Sequence, residues 1–379
     1  MRVGLVAGEP SGDTLGASVI AALRARCPSL QVEGVGGPLL AAQGLESLYP
    51  MERLSVMGLV EPLRRLPELL RARRAIAQHF SGNPPDVFFG IDSPDFNLGL
   101  ERRLRDRGVK TAHLVSPSVW AWRRGRLRGI ARSTDLMLCL FPFEVGIYHD
   151  HGIPVQFVGH PLADEIEPVV DREAARSRLG IAPAGRLVAL LPGSRAAEVV
   201  RLAPVFLETA ARLYARDDSL SFVVPAANPE REQQLRPLVD GSAVPVTLVS
   251  GGAQDVLAAA DVALVASGTA TLEAALLRRP MVVAYRMAGP TWFFLSRMVD
   301  TPWVALPNLL AGHQVVPEFL QEEATPQALA AALEPLLQEG PDSRSSWADE
   351  FARLHEQLRN DCAARVADAL LRLAGRADA

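Results

Sequence analysis

Residues 3–13 read Val-Gly-Leu-Val-Ala-Gly-Glu-Pro-Ser-Gly-Asp, a short apolar run that passes directly into small and acidic residues. The apolar part predicts a buried strand, and Gly8–Asp13 predict a tight turn from that strand into a helix. Two more segments of this kind occur in the second half of the chain: Leu187–Leu191 followed by Pro192–Arg195, and Val262–Ala266 followed by Ser267–Thr269. Each half of the chain therefore carries its own strand-to-helix turns.

Such turns leave free backbone N–H groups at a helix start, where the donors and the helix dipole together stabilise an anion. Two α/β halves that each carry these turns predict a diphosphate-bearing ligand held in a cleft between two domains. Sugar-nucleotide chemistry is therefore the first hypothesis for function. The turns lack both the Gly-Lys-Ser/Thr of a Walker loop and the Gly-x-Gly-x-x-Gly fingerprint of a dinucleotide site.

The composition is that of an ordinary globular protein, with 379 residues, 49% hydrophobic and 22% charged residues and a net charge of −4. This length favours two domains. Ten basic residues and one acid, Asp106, lie between Arg102 and Arg132. This segment either meets phosphates or a lipid headgroup surface or forms solvated helix faces, and the sequence favours neither interpretation.

Cys27, Cys139 and Cys362 are far apart and odd in number, which favours a reducing compartment without disulfides or a Cys-based metal site. The first predicted strand begins directly after Met1-Arg2, so no signal peptide is expected. No apolar run reaches the ~18–20 residues that a spanning helix requires. We therefore expect a cytoplasmic protein, and we assign no metal site.

Short apolar runs alternate with helical segments in both halves, which predicts two parallel sheets covered by helices on both faces. The predicted strands are Val3–Ala7, Gln31–Val35, Val87–Ile91, Lys110–Val115, Leu136–Leu140 and Val155–Val158, then Leu187–Leu191, Ser221–Val224, Val244–Leu248, Val262–Val265 and Met281–Tyr285. Between the halves, Pro161–Asp171 is interpreted as a linker.

From Trp347 to Leu373 apolar residues recur every three or four positions, which predicts one long amphipathic helix. This helix is expected to begin near Ser346 and to dock on a domain.

Two segments in the second half carry candidate ligand-binding side chains. Ser194 can cap a helix, and Arg195 can bind a phosphate with two hydrogen bonds. The alternative for Arg195 is an exposed arginine in an ordinary turn. Glu273 follows the Ser267–Thr269 turn and could accept hydrogen bonds from both ribose hydroxyls, or it could only complement the helix dipole.

In the first half, Asp92–Asn97 follow a predicted strand and bring two carboxylates and an amide to its carboxyl end. Asp92 is the candidate general base for an acceptor hydroxyl, and Asp95 is interpreted as a structural or substrate-orienting residue. The alternative is that either aspartate only caps the helix that begins near Phe96.

The segment Leu54–Leu70 is rich in apolar residues, is flanked by arginines and contains two prolines that are expected to interrupt any long helix. An exposed apolar surface beside arginines would suit acyl chains or the bilayer interface. Most such stripes belong to a core, and the residues alone favour that interpretation.

Taken together, these segments resemble one family, the lipid-A-disaccharide synthases, which are glycosyltransferases of Gram-negative outer-membrane biogenesis. The matching stretches are Ala7–Asp13, Val56–Gly58, Ile91–Asn97, Ser116–Arg123, Phe157–Pro161, Leu190–Arg195 with Glu198, Ala266–Glu273, Pro280–Arg286 and Leu306–Gly312. They cover nearly the whole chain, and the tryptophan segment Ser116–Arg123 and the Leu-Pro-Asn-Leu-Leu segment at 306–310 are distinctive.

The resemblance implies a GT-B architecture of two Rossmann-like, doubly wound domains that face each other across a cleft. We expect an acceptor-binding, membrane-associating domain over residues 1–165, completed by a C-terminal helix over 346–379 that docks back on it, and a UDP-sugar-binding domain over 166–345. The implied reaction joins UDP-2,3-diacylglucosamine to 2,3-diacylglucosamine 1-phosphate and gives lipid A disaccharide 1-phosphate, with a β-1,6 linkage, and UDP. We expect inversion at the anomeric carbon and, because preorganised donors could take the place of a metal, no cofactor.

Carried onto this chain, the family's base falls on Asp92 and its phosphate-binding arginine on Arg195. With the turns included, the nucleotide-binding residues are Glu9, Gly193, Ser194, Arg195, Ser267, Gly268, Thr269, Glu273 and Asn308. The membrane-associating region falls on Leu54–Leu70, which reverses the core interpretation, and its apolar residues are Val56, Met57, Leu59, Val60, Leu63, Leu66 and Leu69.

We therefore expect peripheral binding to the cytoplasmic face of the inner membrane, two acylated sugar substrates and no nucleic-acid partner. A monomer and a homodimer that exchanges its C-terminal segment both stay open. So do three other functions: a UDP-sugar 2-epimerase, a different GT-B transferase such as one that builds peptidoglycan, and a non-catalytic binding protein.

Overall fold

The computed structural model describes residues 1–54, 61–120, 124–182, 185–289, 292, 301–339 and 346–376. The chain forms two compact units, of which the first comprises Met1–Asp164 with Leu358–Ala379 and the second Glu165–Gln357. Each unit contains a parallel sheet with helices around it, which confirms the predicted α/β fold class.

The first unit contains a seven-stranded sheet in the order β3-β2-β1-β4-β5-β6-β7. Its strands are β1 Arg2–Ala7, β2 Gln31–Val35, β3 Leu45–Ser47, β4 Val87–Ile91, β5 Thr111–Leu114, β6 Leu136–Cys139 and β7 Val155–Phe157. Its helices are α1 Pro10–Arg26, α2 Pro38–Ala42, α3 Glu61–Gly82, α4 Pro94–Arg105, α5 Leu127–Ser133, α6 Phe143–His149 and α7 Pro161–Glu165.

The register of this sheet positions the polar residues that follow its strands. Ala7 at the end of β1 pairs with Ile91 at the end of β4, and Ile91 in turn pairs with Leu114 at the end of β5. Because neighbouring parallel strands end at the same edge, Glu9 and Asp92 emerge on one side of the sheet. The strand β4 is buried along its whole length, so that edge rests on a packed core.

The second unit contains a six-stranded sheet in the order β10-β9-β8-β11-β12-β13. Its strands are β8 Leu187–Leu191, β9 Ser221–Ala226, β10 Val246–Ser250, β11 Val262–Ala266, β12 Met281–Tyr285 and β13 Glu318–Leu320. Its helices are α8 Arg172–Arg178, α9 Ala196–Tyr214, α10 Pro229–Asp240, α11 Ala253–Ala259, α12 Thr269–Leu276, α13 Leu306–Ala311 and α14 Pro326–Glu339. Leu191 pairs with Val265, so the two turns predicted to bind phosphate leave the sheet side by side.

The prediction of one long C-terminal helix is wrong. The segment forms α15 Ser346–Leu358 and α16 Cys362–Leu373, and Asp361 between them has a left-handed backbone with φ of 52°. Residues 346–357 accordingly belong to the second unit, where the sequence placed them in the first. The apolar spacing of three or four residues continues across the break, so periodicity alone did not reveal it.

The returning helix α16 docks on the first unit, as predicted for the C-terminal segment. Its buried residues Cys362, Val366 and Leu370 share one core cluster with Val19 and Leu23 of α1.

The interpretation of Pro161–Asp171 as a plain linker needs correction at its start, because residues 161–165 form α7.

The helix α7 supplies a cap for the start of α16. Its Asp164 carboxylate accepts hydrogen bonds from the backbone N–H groups of Asn360, Asp361 and Cys362, at 3.0, 2.9 and 2.6 Å. A carboxylate at this position also complements the positive end of the helix dipole.

The two prolines do not interrupt α3, in contrast to the expectation. Pro62 lies in its first turn, where a missing N–H is tolerated, and the helix continues through Pro67. Among the described helices, none combines the length and the apolar character that crossing a bilayer would require.

Candidate active site

The strand-to-helix turns of the second unit meet around one cavity of about 420 Å³. Of the residues predicted to bind nucleotide, the ones that line it are Gly193, Ser194, Arg195, Ser267, Gly268, Thr269 and Glu273. The carboxyl ends of β9 and β10 add Ala226–Ala227 and Gly251–Ala253, which the sequence reasoning missed. In the sequence, only the glycine pair at 251–252 indicated a turn at this position.

Backbone geometry and one ion pair shape the first of these turns. Gly193 has a φ of 111°, and a Cβ at this position would lie 2.6 Å from the Cβ of Glu198. The Arg195 guanidinium Nη1 donates a 2.9 Å hydrogen bond to the Glu198 carboxylate, which also accepts from the Arg195 backbone N–H at 3.3 Å. The Arg195 side chain is still 79% exposed. It can therefore turn toward an anion in the cavity, and the Glu198 carboxylate then keeps the backbone N–H of Arg195 as a donor.

Glu273 carries a carboxylate without a protein partner. It lies half-buried in the wall of the cavity, and burial raises the pKa of its carboxyl above the usual range. No hydrogen bond or ion pair from the described part of the chain satisfies it. Because an unpaired, partly buried acid costs free energy, this side chain suits a ligand that brings hydroxyl donors.

Asn308 is not brought into the cavity. Its side chain is fully buried and donates to the Val316 carbonyl at 2.9 Å and to the Glu318 carboxylate at 2.7 Å. Its Oδ1 accepts from the backbone N–H groups of Val315 and Val316. The carboxamide is thus hydrogen-bonded within the protein, and its direct contact with the nucleotide stays a prediction.

The Asn308 network instead supports the Ser267 turn from behind. Glu318 accepts hydrogen bonds from the backbone N–H groups of Val304 and Ala305, at 2.9 and 3.0 Å. The Val304 carbonyl in turn accepts a 2.8 Å hydrogen bond from the Ser267 hydroxyl. Asn308 can therefore position the turn through Glu318 and Val304.

In the first unit, Asp92 occupies a strained turn at the end of β4. Asp92 and Ser93 both have a left-handed backbone, with φ of 51° and 43°. Such strain costs about 1–3 kcal/mol for each residue and is found most often at functional sites. The described residues provide neither a hydrogen bond nor an ion pair to the half-buried Asp92 carboxylate. Its carboxylate is thus available to a substrate.

Asp92 lies between two cavities of different character. The first, of about 320 Å³, is largely apolar, and its walls are formed by Glu9, Leu54, Leu66, Leu69, Leu70, Arg73, Asp92, Ser93, Pro94, Asp95 and Phe96. The second, of about 270 Å³, is polar and is lined by Asp92, Pro94, Val115, Ser116, Pro117, Ser118 and Arg126. Glu9 and Asp92 thus line the same cavity of the first unit.

The two aspartates of this segment have different surroundings. The Asp95 side chain is 80% exposed and forms a 2.5 Å ion pair with Arg126. Asp92, in contrast, lines both cavities and forms no ion pair with a described residue. An acid that takes a proton from a substrate needs a free carboxylate beside that substrate, and this requirement favours Asp92 over Asp95 as the candidate base.

The predicted apolar surface is described only in part. Leu66 is 46% exposed, and Leu66 and Leu69 both line the apolar cavity. Leu63 lies within α3, but its side chain is outside the described set. Val56, Met57, Leu59 and Val60 fall outside the described residues.

Solved structures with the same fold define the class. A UDP-GlcNAc 2-epimerase from Neisseria meningitidis superposes with a TM-score of 0.67 at 13% identity, covering 98% of this chain and 100% of its own. WaaG, a glycosyltransferase involved in lipopolysaccharide biosynthesis, superposes with a TM-score of 0.60 at 14% identity, covering 98% and 99%. The chain thus has the two-sheet α/β fold of GT-B glycosyltransferases and related epimerases.

Sequence relationships then give the family. The sequence profile of lipid-A-disaccharide synthetase matches residues 3–370. The lipid-A-disaccharide synthase of Cellvibrio japonicus (strain Ueda107) is 53% identical over 380 residues, which cover 100% of this chain and 99% of the relative. That of Pseudomonas aeruginosa (strain UCBPP-PA14) is 53% identical over 377 residues, covering 99% of both.

The chain belongs to the lipid-A-disaccharide synthetase family and is a glycosyltransferase of lipid A biosynthesis. This confirms the predicted family and activity. It also sets aside the epimerase, the peptidoglycan-type transferase and the non-catalytic binding protein.

Proposed function

We propose that Asp92 is the general base of the transfer reaction and that the acceptor sugar is bound beside it in the first unit. Asp92 takes the proton from the acceptor's 6-hydroxyl, whose oxygen forms a new bond to the anomeric carbon of the donor. The bond from that carbon to UDP breaks, and UDP leaves with the electron pair. A single displacement of this kind inverts the anomeric centre. The observation that carries this proposal is the unpaired Asp92 carboxylate between two cavities.

The nucleotide end of the donor is assigned to the cavity of the second unit. Arg195 and the backbone N–H groups of the Gly193 and Gly268 turns are suited to the diphosphate, because charge on the leaving group grows as the bond breaks. Glu273 is suited to the ribose hydroxyls. A nucleotide contact by Glu9 stays a prediction, since Glu9 lies beside Asp92 in the first unit.

The apolar cavity supplies the contact for acyl chains. Leu66, Leu69 and Leu70 of α3 form one wall of it, and the exposed fraction of Leu66 continues that surface outward. We assign the acyl chains of the acceptor to this cavity. Peripheral association of α3 with the cytoplasmic face of the inner membrane follows from the same surface.

The test is release of UDP from UDP-2,3-diacylglucosamine, measured with and without 2,3-diacylglucosamine 1-phosphate. We expect release that requires the acceptor, together with formation of the disaccharide 1-phosphate. An unacylated UDP-sugar serves as the control donor and should give little release. Release that is equally fast without the acceptor would contradict the proposal.

A further inference from the structure

Arg73 is a cation in the wall of the apolar cavity, and no carboxylate of the described residues forms an ion pair with it. Its side chain is half-buried, and it lines the same cavity as Asp92. Its only hydrogen bond in the described residues is a long one of 3.4 Å from Nη1 to the Asp95 carbonyl, and its buried Nε has no acceptor. No carboxylate of the described chain pairs with it.

The surroundings of Arg73 raise the free-energy cost of leaving its charge uncompensated. Burial, and then the neighbouring charges of Arg103 and Arg74, lower the pKa of the Arg73 guanidinium. A partly buried cation that faces two others is unfavourable unless an anion compensates it. The site is therefore incomplete without a negatively charged ligand.

Packing against α4 holds the Arg73 guanidinium in place. A Cβ on Gly99 of α4 would lie 2.4 Å from Nη1 of Arg73, so the glycine allows the guanidinium to rest against the helix. The helix α4 begins at Pro94, directly after the Asp92–Ser93 turn. Arg73 thus rests against the helix that directly follows the turn of the proposed base.

A second cation near Asp92, Arg126, is already neutralised. Arg126 lines the polar cavity, but its guanidinium is engaged by the carboxylate of Asp95. Of these two arginines, Arg73 is the one with unsatisfied donors, and it shares its cavity with leucine side chains. A ligand for this cavity would carry a phosphate or similar anion, a hydroxyl for Asp92 and apolar chains for the leucines.

We propose that Arg73 binds the phosphate of the acylated sugar phosphate acceptor. This inference rests on the proposed function, because it takes the acceptor to lie beside Asp92. Arg73 then acts as a substrate-binding and specificity-determining residue: it selects an acceptor that carries a phosphate and directs the opposite end of the sugar toward Asp92. The donor, whose diphosphate is assigned to the second unit, does not depend on it.

The experiment compares two acceptors, 2,3-diacylglucosamine 1-phosphate and the same sugar with a free 1-hydroxyl, in neutral detergent micelles. For Arg73→Gln we expect a rise of about 10- to 100-fold in the KM for the phosphorylated acceptor, because a charge-assisted contact is lost. The KM for the donor should not change. With the unphosphorylated acceptor, Arg73→Gln and the wild type should react equally.

Arg71→Gln is the matched control, because Arg71 is an exposed arginine on the same helix, and among the described residues it bonds only to the Pro67 carbonyl. It should leave both KM values unchanged. Arg73→Lys keeps the charge but not the forked donor geometry, and it should give an intermediate KM. If Arg73→Gln does not fold, the KM of Arg73→Lys for the two acceptors tests the inference instead.

Equal effects of Arg73→Gln on both acceptors would overturn the inference. An unchanged KM for the phosphorylated acceptor would overturn it as well. A second arm replaces the micelles with phosphatidylglycerol vesicles. An effect that appears only on these vesicles would assign Arg73 to a lipid headgroup, and it would also overturn the inference. If the wild type forms no disaccharide, the proposed function fails; if it does and Arg73→Gln behaves like it, only the inference fails.

Discussion

The Nδ2 atom of Asn97 donates a 2.8 Å hydrogen bond to the backbone carbonyl of Asp92. The same atom lies 3.2 Å from the carbonyl oxygens of Val6 and Ile91, so one fully buried amide ties the ends of β1 and β4 to the strained turn. Asn97 lies in the first turns of α4, directly behind Asp92. The position of the proposed base is therefore set by a residue that does not itself face the substrate.

We predict that Asn97→Ala lowers kcat about tenfold or more and leaves the affinity for UDP unchanged. The substitution leaves buried carbonyl groups without donors, which should also reduce the free energy of unfolding by ~1–3 kcal/mol. Steady-state kinetics and urea unfolding measure the two effects. A variant with reduced stability but a wild-type kcat would show that Asn97 stabilises the fold without positioning Asp92.

Asp92→Asn should abolish transfer while UDP binding persists, because the amide keeps the shape of the side chain but cannot accept the proton. Asp95→Asn is the matched control and should retain most of the activity, since its carboxylate is exposed and paired with Arg126. Turnover and calorimetric titration with UDP provide the readouts. Loss of UDP affinity in Asp92→Asn would make Asp92 a nucleotide or structural residue.

Arg195→Ala should weaken UDP binding about tenfold or more, because an arginine–phosphate contact is charge-assisted. Arg201→Ala provides the comparison: Arg201 lies in α9, the helix that begins directly after Arg195, and its one hydrogen bond among the described residues goes to the Ala197 carbonyl. Its affinity for UDP should match that of the wild type. Unchanged kinetics and affinity in Arg195→Ala would remove Arg195 from the site.

Glu273→Gln should weaken UDP binding without lowering the stability of the apo protein. Burial raises the folded-state pKa of this carboxyl, so between the unfolded and folded pKa values the native state holds more protons than the unfolded state. Stability is then lost as the pH rises through that window, and a neutral side chain avoids the loss. Unfolding at neutral pH should give the variant an equal or higher free energy, and calorimetry should give it a weaker affinity for UDP. A less stable variant would contradict the assignment of an unpaired carboxylate.

The local sequence pattern was sufficient to predict most of the strands, because these strands are short, apolar and buried. The strand β4 reads Val-Phe-Phe-Gly-Ile and is buried throughout, so its prediction was direct. The strands β3, Leu-Glu-Ser, and β13, Glu-Phe-Leu, were missed because an acidic residue interrupts the apolar pattern in each. The break at Asp361 was missed for a different reason: its conformation depends on the Asp164 cap, which is distant in sequence.

The amino-acid sequence by itself determined that parallel sheets form and that Asp92, Arg195 and Glu273 follow or flank strand ends. These features depend on residues that are close together in the chain. Only the tertiary structure decided which charges are already paired: Asp95 is engaged by Arg126, 31 positions away, whereas Asp92 and Arg73 form no ion pair with a described residue. Pairing depends on contacts between distant segments, and a local pattern contains no information about them.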